Sequence, residues 1–151
     1  MSRFRSVQVV STPWEFVRAV EQKFGPLAID LAATDENTKC QRWITPEQDT
    51  FKADWYRMLD GGLGWLNPEF DPMALWVEKC AKEARRGAEF LVLTPASIGA
   101  NWFWDHVKPF ATVYSVGRMK FEGHKDPYPK DLLLNHYTQN PNHELQRWKW
   151  K

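Results

Sequence analysis

The sequence predicts an α/β fold, a mostly parallel sheet covered by helices, with an antiparallel hairpin at one edge. Short apolar runs alternate with amphipathic helical stretches, the order that builds a parallel sheet buried on both faces. The last two extended pieces have no helix between them, which calls for a direct antiparallel return.

The first helix is announced by Thr12-Pro13-Trp14-Glu15. Thr12 is expected to cap it, Pro13 suits its first position, and Glu15 completes a capping box. Phe16, Val17, Val20 and Phe24 then share one face, and Gly25 supplies the stop. LAIDLAA, residues 27 to 33, reads as a buried strand. Thr45-Pro46 opens a brief helix toward Trp55, Asp60-Gly61-Gly62 is a turn, and Leu63 to Leu66 is a strand. Asp71-Pro72 starts the longest helix, with Met73, Trp76, Val77, Cys80, Ala81 and Ala84 as its apolar stripe. Gly87 ends it, and Phe90 to Leu93 is a fully apolar strand. A helix over Trp102 to Val107 and a strand over Ala111 to Val116 follow. Met119 to Glu122 and Leu132 to Tyr137 form the expected edge hairpin around the loop Gly123 to Asp131. The short interval between the Asp30 strand and Asn67 leaves little room for a full seven-stranded sheet.

Composition bounds what such a fold does. With 151 residues, 43% hydrophobic and 26% charged, the chain is expected to be a single domain over residues 1–151 with an ordinary globular core. Residues 144–151 read as a basic and aromatic tail, in which Trp148 and Trp150 have little around them to bury into. No apolar run approaches the ~20 residues of a membrane span, and MSRFRSVQVV lacks the pattern of a signal peptide. A cytoplasmic protein with no membrane partner is the expectation. Two cysteines make neither a disulfide framework nor a metal knuckle. The four histidines have no HExxH spacing, so no metal is expected. GxGxxG, Walker and GxSxG motifs are absent, which removes most support for hydrolytic and phosphate-cradling chemistry.

The net charge is only +1, but its distribution is uneven. Residues 1–25 carry four basic and two acidic groups, residues 118–151 seven and four, and the stretch between them nine and thirteen. Basic ends around an acidic centre suit a polyanion, and ordinary solvated surface explains them equally well.

In open α/β sheets, ligands bind beyond the carboxyl ends of the strands. That rule selects Asp30-Leu31-Ala32-Ala33, Asn67-Pro68-Glu69-Phe70 and Thr94-Pro95-Ala96 as walls of one crevice. The second segment has the chemistry of amino-group methylation. The exocyclic amino group of adenine is a poor nucleophile because its lone pair is delocalised into the ring. A site that methylates it needs acceptors for the two N–H bonds. The Asn67 side-chain oxygen and the Pro68 carbonyl supply such a pair, and Phe70 offers a face on which an extruded base can stack. Held in line with a methyl donor, the amino nitrogen gains most of its acceleration from positioning.

Five segments in order, STPWEF, IDLAATDENTKCQRWIT, WLNPEF, LVLTPASIGANWF and GRMKF, make the chain resemble the phage-type DNA N6-adenine methyltransferases. The likeness runs over roughly residues 10 to 137. It implies a Rossmann-like, S-adenosylmethionine-dependent methyltransferase core reduced in size, acting on DNA, in the host cytoplasm if phage-encoded. It implies catalytic roles for Asn67, Pro68 and Phe70 and cofactor contacts at Thr12, Pro13, Asp30 and Ala32. Glu69 stands where the family has a second proline, so a catalytically silent cofactor- or DNA-binding relative is the alternative. Trp102, Arg118 and Lys120 are expected to contact DNA, with a solvated surface as the competing reading of the two cations. Asp126-Pro127-Tyr128-Pro129 reads as a Pro-stiffened turn with no part in the chemistry.

Overall fold

The structure is a computed structural model that describes residues 11–151. The basic residues Arg3 and Arg5 of the N-terminal stretch lie outside the described residues. The helices are α1 (Trp14–Phe24), α2 (Trp55–Leu59), α3 (Met73–Arg86) and α4 (Asn101–His106). The strands are β1 (Leu27–Asp30), β2 (Arg42–Trp43), β3 (Leu63–Leu66), β4 (Glu89–Pro95), β5 (Ala111–Gly117), β6 (Leu132–Tyr137) and β7 (Gln146–Arg147). They form one seven-stranded sheet in the order β2-β1-β3-β4-β6-β5-β7. Strands β2, β1, β3 and β4 are mutually parallel, and β6 runs antiparallel to both neighbours.

The sheet reaches seven strands because two of them, β2 and β7, are only two residues long. Pieces that short carry no periodic signal, so the expected reduction appears in strand length and not in strand number. The antiparallel hairpin exists, but its arms are β5 and β6, and β6 lies inside the sheet between β4 and β5. Leu132, Leu133, Leu134 and Asn135 are accordingly buried on both sides of the strand. Residues 119–122 are not a strand. They keep the alternation of one, with Met119 and Phe121 buried and Arg118, Lys120 and Glu122 exposed.

Two apolar layers sandwich the sheet, and alternation along β4 divides the residues between them. Phe90 and Val92 face a layer built from Trp55, Leu59, Trp76, Val77, Cys80 and Phe103 of α2, α3 and α4. Leu91 and Leu93 face the other layer, with Phe16 and Val20 of α1 and with Met119 and Phe121. Trp148 and Trp150 complete that second layer. Their rings lie 5.8 and 4.9 Å from that of Phe16, and the Trp150 indole N–H donates to the Val116 carbonyl at 3.2 Å. The tail is therefore docked, and its tryptophans cover the sheet face beside α1, where a further helix would otherwise be needed. On the opposite face, Gly64 permits close packing of the first layer. A Cβ there would lie 3.0 Å from the Phe90 Cβ and 3.1 Å from Leu31 Cδ1.

The expected helix over 45–55 is two pieces. Thr45 closes a full capping box with Gln48 around a single 3-10 turn at Pro46–Gln48, and Asp54 separately caps α2 through the Arg57 N–H. Helix α3 carries the predicted stripe and ends at Gly87, whose left-handed φ of 108° lets its N–H reach the Ala84 carbonyl. Thr12 does not cap α1. Pro13 occupies that position, and no side-chain cap bond is made. The Thr12 hydroxyl is turned toward Asn67 instead.

Candidate active site

Parallel pairing of β1, β2 and β3 aligns their carboxyl ends, and backbone bonds continue the ladder past each strand. Leu31 N–H donates to the Trp65 carbonyl, Ile44 N–H to that of Asp30, and Ala33 N–H to that of Ile44, at 2.8, 2.9 and 3.1 Å. The loops that follow the strands are thereby pinned side by side.

A narrow polar recess of about 10 Å³ opens among them, lined by Thr12, Asp30, Ala32, Lys39, Trp65 and Asn67. Four of the seven residues expected around catalysis and cofactor thus meet in one place. Asn67 Nδ2 donates to Thr12 Oγ1 at 2.7 Å. With the amide nitrogen so directed, the acceptor of the side chain is Oδ1, the atom an amino group requires. Thr12 is 1% exposed, so this bond is shielded from water. Pro68 is buried behind Asn67, and Pro13 is half-buried at the start of α1.

Asp30 is 3% exposed. Its carboxylate accepts the Ala32 N–H at 3.3 Å and the Lys39 N–H at 3.0 Å, which ties the ends of the 31–39 loop together. Burial pushes its carboxyl up to about 7, against the opposing pull of those two N–H groups and of the Lys39 charge. Lys39 is itself buried and reaches the other way. Its Nζ donates to Ser11 Oγ at 3.2 Å and Glu122 Oε1 at 3.1 Å, and lies 4.5 Å from the Trp14 ring centroid. One ammonium therefore joins the segment before α1, the loop after β1 and the loop between β5 and β6. Burial also pushes the neighbouring Cys40 thiol up to about 12, which leaves it unreactive at neutral pH.

Beyond Ala32 lies a larger apolar cavity of about 560 Å³, floored by Ile44, Phe51, Trp76 and Pro72 and reached by Glu69. Phe51 and Trp76 pack with ring centroids 4.5 Å apart. Sequence reasoning missed this wall. Phe51 lies in the stretch expected to be a brief helix toward Trp55, and Trp76 belongs to the α3 stripe, so neither stood out as a site residue. A buried carboxylate and hydroxyl at one end and an aromatic cavity beyond them match a ligand with a charged amino-acid end and a flat apolar end. The cavity also exceeds the ~300 Å³ lower end of ligand pockets.

Phe70 is half-buried and touches two rings of the 118–131 loop. Tyr128 meets it edge-on at 5.3 Å and Phe121 at 6.3 Å. The Tyr128 N–H donates to the Met119 carbonyl at 2.8 Å, which folds the loop back on itself. The Pro-stiffened turn thus bears a ring against the 67–70 segment, a contact between residues too far apart for any local pattern to register. Arg118 and Lys120 are exposed on the outer face of the same loop, and Trp102 is half-buried on α4 against the core. Trp104, two residues on, is 55% exposed, and its indole N–H donates to the Ile98 carbonyl at 2.7 Å. Among the described residues, no group of three or more His, Cys, Asp or Glu side chains is placed to hold a metal ion. None of the described helices is long and apolar enough to cross a membrane.

Residues 5–143 match the pattern of the family described as DNA N-6-adenine-methyltransferase (Dam). The chain belongs to this family. A protein of Escherichia phage T1 described as a DNA N-6-adenine-methyltransferase is 28% identical over 93 residues, 62% of this chain and 38% of that one. A protein of Haemophilus phage HP1 with the same description is 30% identical over 95 residues, 62% of this chain and 53% of that one. The aligned stretches thus span less than two-thirds of either phage protein. Glu69, which stands where the resemblance led to the expectation of a second proline, reaches the apolar cavity with its carboxylate, and Oε2 is buried.

Proposed function

We propose that the chain is a DNA methyltransferase that transfers a methyl group from S-adenosylmethionine to the N6 amino group of adenine. The observation that carries this reading is the 2.7 Å bond between Asn67 and Thr12, which sets the head of the catalytic segment against the cofactor segment.

S-adenosylmethionine supplies an electrophilic methyl group on a sulfonium. The protein does the rest. Asn67 Oδ1 and the Pro68 carbonyl would accept the two N–H bonds of the amino group, which favours positive charge developing on nitrogen as the N–C bond forms and the methyl–sulfur bond breaks to leave a neutral thioether. Phe70 stacks on the extruded base. The methylated nitrogen then sheds its proton to solvent, so no strong base is needed beforehand. Thr12, Pro13, Asp30 and Ala32 would hold the polar end of the cofactor, and Ile44, Phe51 and Trp76 would receive its adenine. Asp30, with its carboxyl at about 7, carries substantial negative charge at neutral pH beside a cationic ligand. Trp102, Arg118 and Lys120 contact DNA. The position of Glu69 against the apolar cavity favours an active enzyme over a silent binding relative.

The test is transfer of tritiated methyl groups to unmethylated DNA, with nucleoside analysis of the product and calorimetric titration of the cofactor. Binding with formation of N6-methyladenine is expected. Cofactor binding without transfer overturns the enzyme in favour of a binding module, and N4-methylcytosine overturns the acceptor.

A further inference from the structure

We infer that Arg147, Lys149 and Lys151, with Arg118 across a groove, form a cationic ridge that holds the phosphate backbone of duplex DNA beside the catalytic edge of the sheet. The choice of DNA as partner rests on the function proposed above. The ridge itself rests on four features of the tail.

The first is alternation. From Gln146 to Lys151 the residues are half-buried and exposed in turn, with Trp148 and Trp150 inward and Arg147, Lys149 and Lys151 outward. The tryptophans pack on Phe16, and Trp148 also meets Phe24 at 5.9 Å. The Trp148 N–H donates to the Ser115 carbonyl at 3.0 Å. Anchoring on one side leaves a row of cations on the other, at roughly 6.6–6.8 Å per two residues of extended chain.

The second is topology. β6 is antiparallel to β4 and β5 is antiparallel to β6, so β5 runs the same way as β3 and β4. β7 is parallel to β5, with Tyr114 opposite Gln146 and Ser115 opposite Arg147. The chain therefore leaves β7 at the edge where Asn67 follows β3. A return of the opposite sense would have carried the same charges to the far edge.

The third is convergence. Arg118, Arg147, Lys149 and Lys151 line one groove, with Asp131 as its acidic residue. Lys151 contacts Glu15 at 3.6 Å, with both side chains exposed, a pair that phosphate displaces at little cost. Among the described residues, no carboxylate lies within ion-pair distance of Arg118, Arg147 or Lys149.

The fourth is what the ridge lacks. Its indoles face the core, so base stacking by the tail and insertion into a lipid surface are both disfavoured. What remains is sequence-independent contact with phosphates, which positions a duplex without reading it.

The experiment measures binding of a fluorescein-labelled unmethylated duplex over a range of salt, without cofactor. Substituting Arg147→Gln, Lys149→Gln and Lys151→Gln together keeps both tryptophans and hence the docking of the tail. This triple variant is expected to lose about 2.7 from the log–log salt slope, at ~0.9 per phosphate. Arg118→Gln is expected to lose about 1. Lys82→Gln, on α3, leaves the slope unchanged, and all variants keep the melting temperature and cofactor affinity of the parent. An unchanged slope in the triple variant overturns the ridge, as does an equal loss in Lys82→Gln. Because the readout needs no methyl transfer, a silent chain that shows the slope change fails the proposed function while the ridge stands.

Discussion

Asn67 and Thr12, 55 residues apart in sequence, share a hydrogen bond of 2.7 Å at the carboxyl edge of the sheet. The bond orients the Asn67 amide, and it explains why Thr12 leaves the cap of α1 to Pro13. Asn67→Ala is expected to lower methyl transfer by about 10²–10³-fold, the usual cost of one polar group aimed at a developing charge, while cofactor binding survives. Thr12→Val keeps the shape but removes the acceptor, so transfer should fall and stability drop by about 1–3 kcal/mol. Asp126→Ala, in the exposed turn, should leave transfer near the parent rate. Transfer assays on folded samples check all three, and equal losses in Asn67→Ala and Asp126→Ala would sink the assignment.

Tyr128 braces Phe70 edge-on, at 5.3 Å between ring centroids. An edge-to-face aromatic pair contributes about 0.5–1.5 kcal/mol beyond its burial. Tyr128→Ala should therefore lower kcat/KM for duplex DNA by roughly 2- to 10-fold and leave cofactor affinity alone. Tyr128→Phe retains the ring and should behave as the parent. Steady-state kinetics of the pair separate a bracing ring from a phenol that bonds to substrate.

Asp30 gives the fold a pH dependence of definite sign. Its carboxyl is raised from 3.8 to about 7 by burial, so the folded state holds the proton more tightly than the unfolded state. The stability this confers is complete below about pH 3.8 and is lost as pH rises through about 7. Asp30→Asn should remove that component of the slope. Asn offers one acceptor where two N–H groups need acceptors, so the variant should also be less stable by about 1–3 kcal/mol at low pH. Melting curves from pH 4 to 8 test both parts, and parallel profiles would rule the linkage out.

Lys39 and Glu122 form a lopsided ion pair, with side chains 4% and 42% exposed. Removing the exposed partner strands a buried charge, whereas removing the buried one leaves a carboxylate that water can solvate. Glu122→Gln should therefore destabilise more than Lys39→Met, although both break the same contact. Chemical denaturation gives the ranking, and the reverse order would show that the ammonium is held mainly by Ser11 and Trp14.

Glu69 replaces the proline expected in the catalytic segment and reaches the apolar cavity. Glu69→Pro should preserve or raise methyl transfer if the carboxylate merely leaves the loop less stiff. A folded variant that binds cofactor yet loses transfer would assign Glu69 a role of its own toward the bound ligand.

By itself the sequence determined the order of the main helices and strands and, of the three segments expected at the crevice, the two at Asp30 and Asn67 that meet there. Helix α3 was legible because six apolar residues recur at helical spacing and a glycine ends it, and β4 because its residues are apolar without interruption. Asn67 and Asp30 were legible as candidates because each stands where a strand ends, whereas Thr12 became one only through the family resemblance of STPWEF. These are local signals, carried by side-chain period and by end chemistry, and they survive without knowledge of what lies across the fold. Tertiary structure alone decided whatever depends on a partner distant in the chain. Thr12 satisfied a cap motif on paper, yet its hydroxyl bonds to Asn67, because a side chain with one oxygen serves the donor that packing brings to it. Trp148 and Trp150 looked exposed in a polar tail, yet they cover one face of the sheet beside α1. Two residues of parallel pairing with β5 suffice to bring them there. Tyr128 and Phe51 reach the site from segments that read as a turn and as a brief helix, since a pattern along one strand of chain carries no information about the loop it will lie against. β6 entered the sheet between β4 and β5 for a related reason. An apolar strand with no helix after β5 has to return antiparallel, and burying both faces of Leu132 to Asn135 favours the interior over the edge.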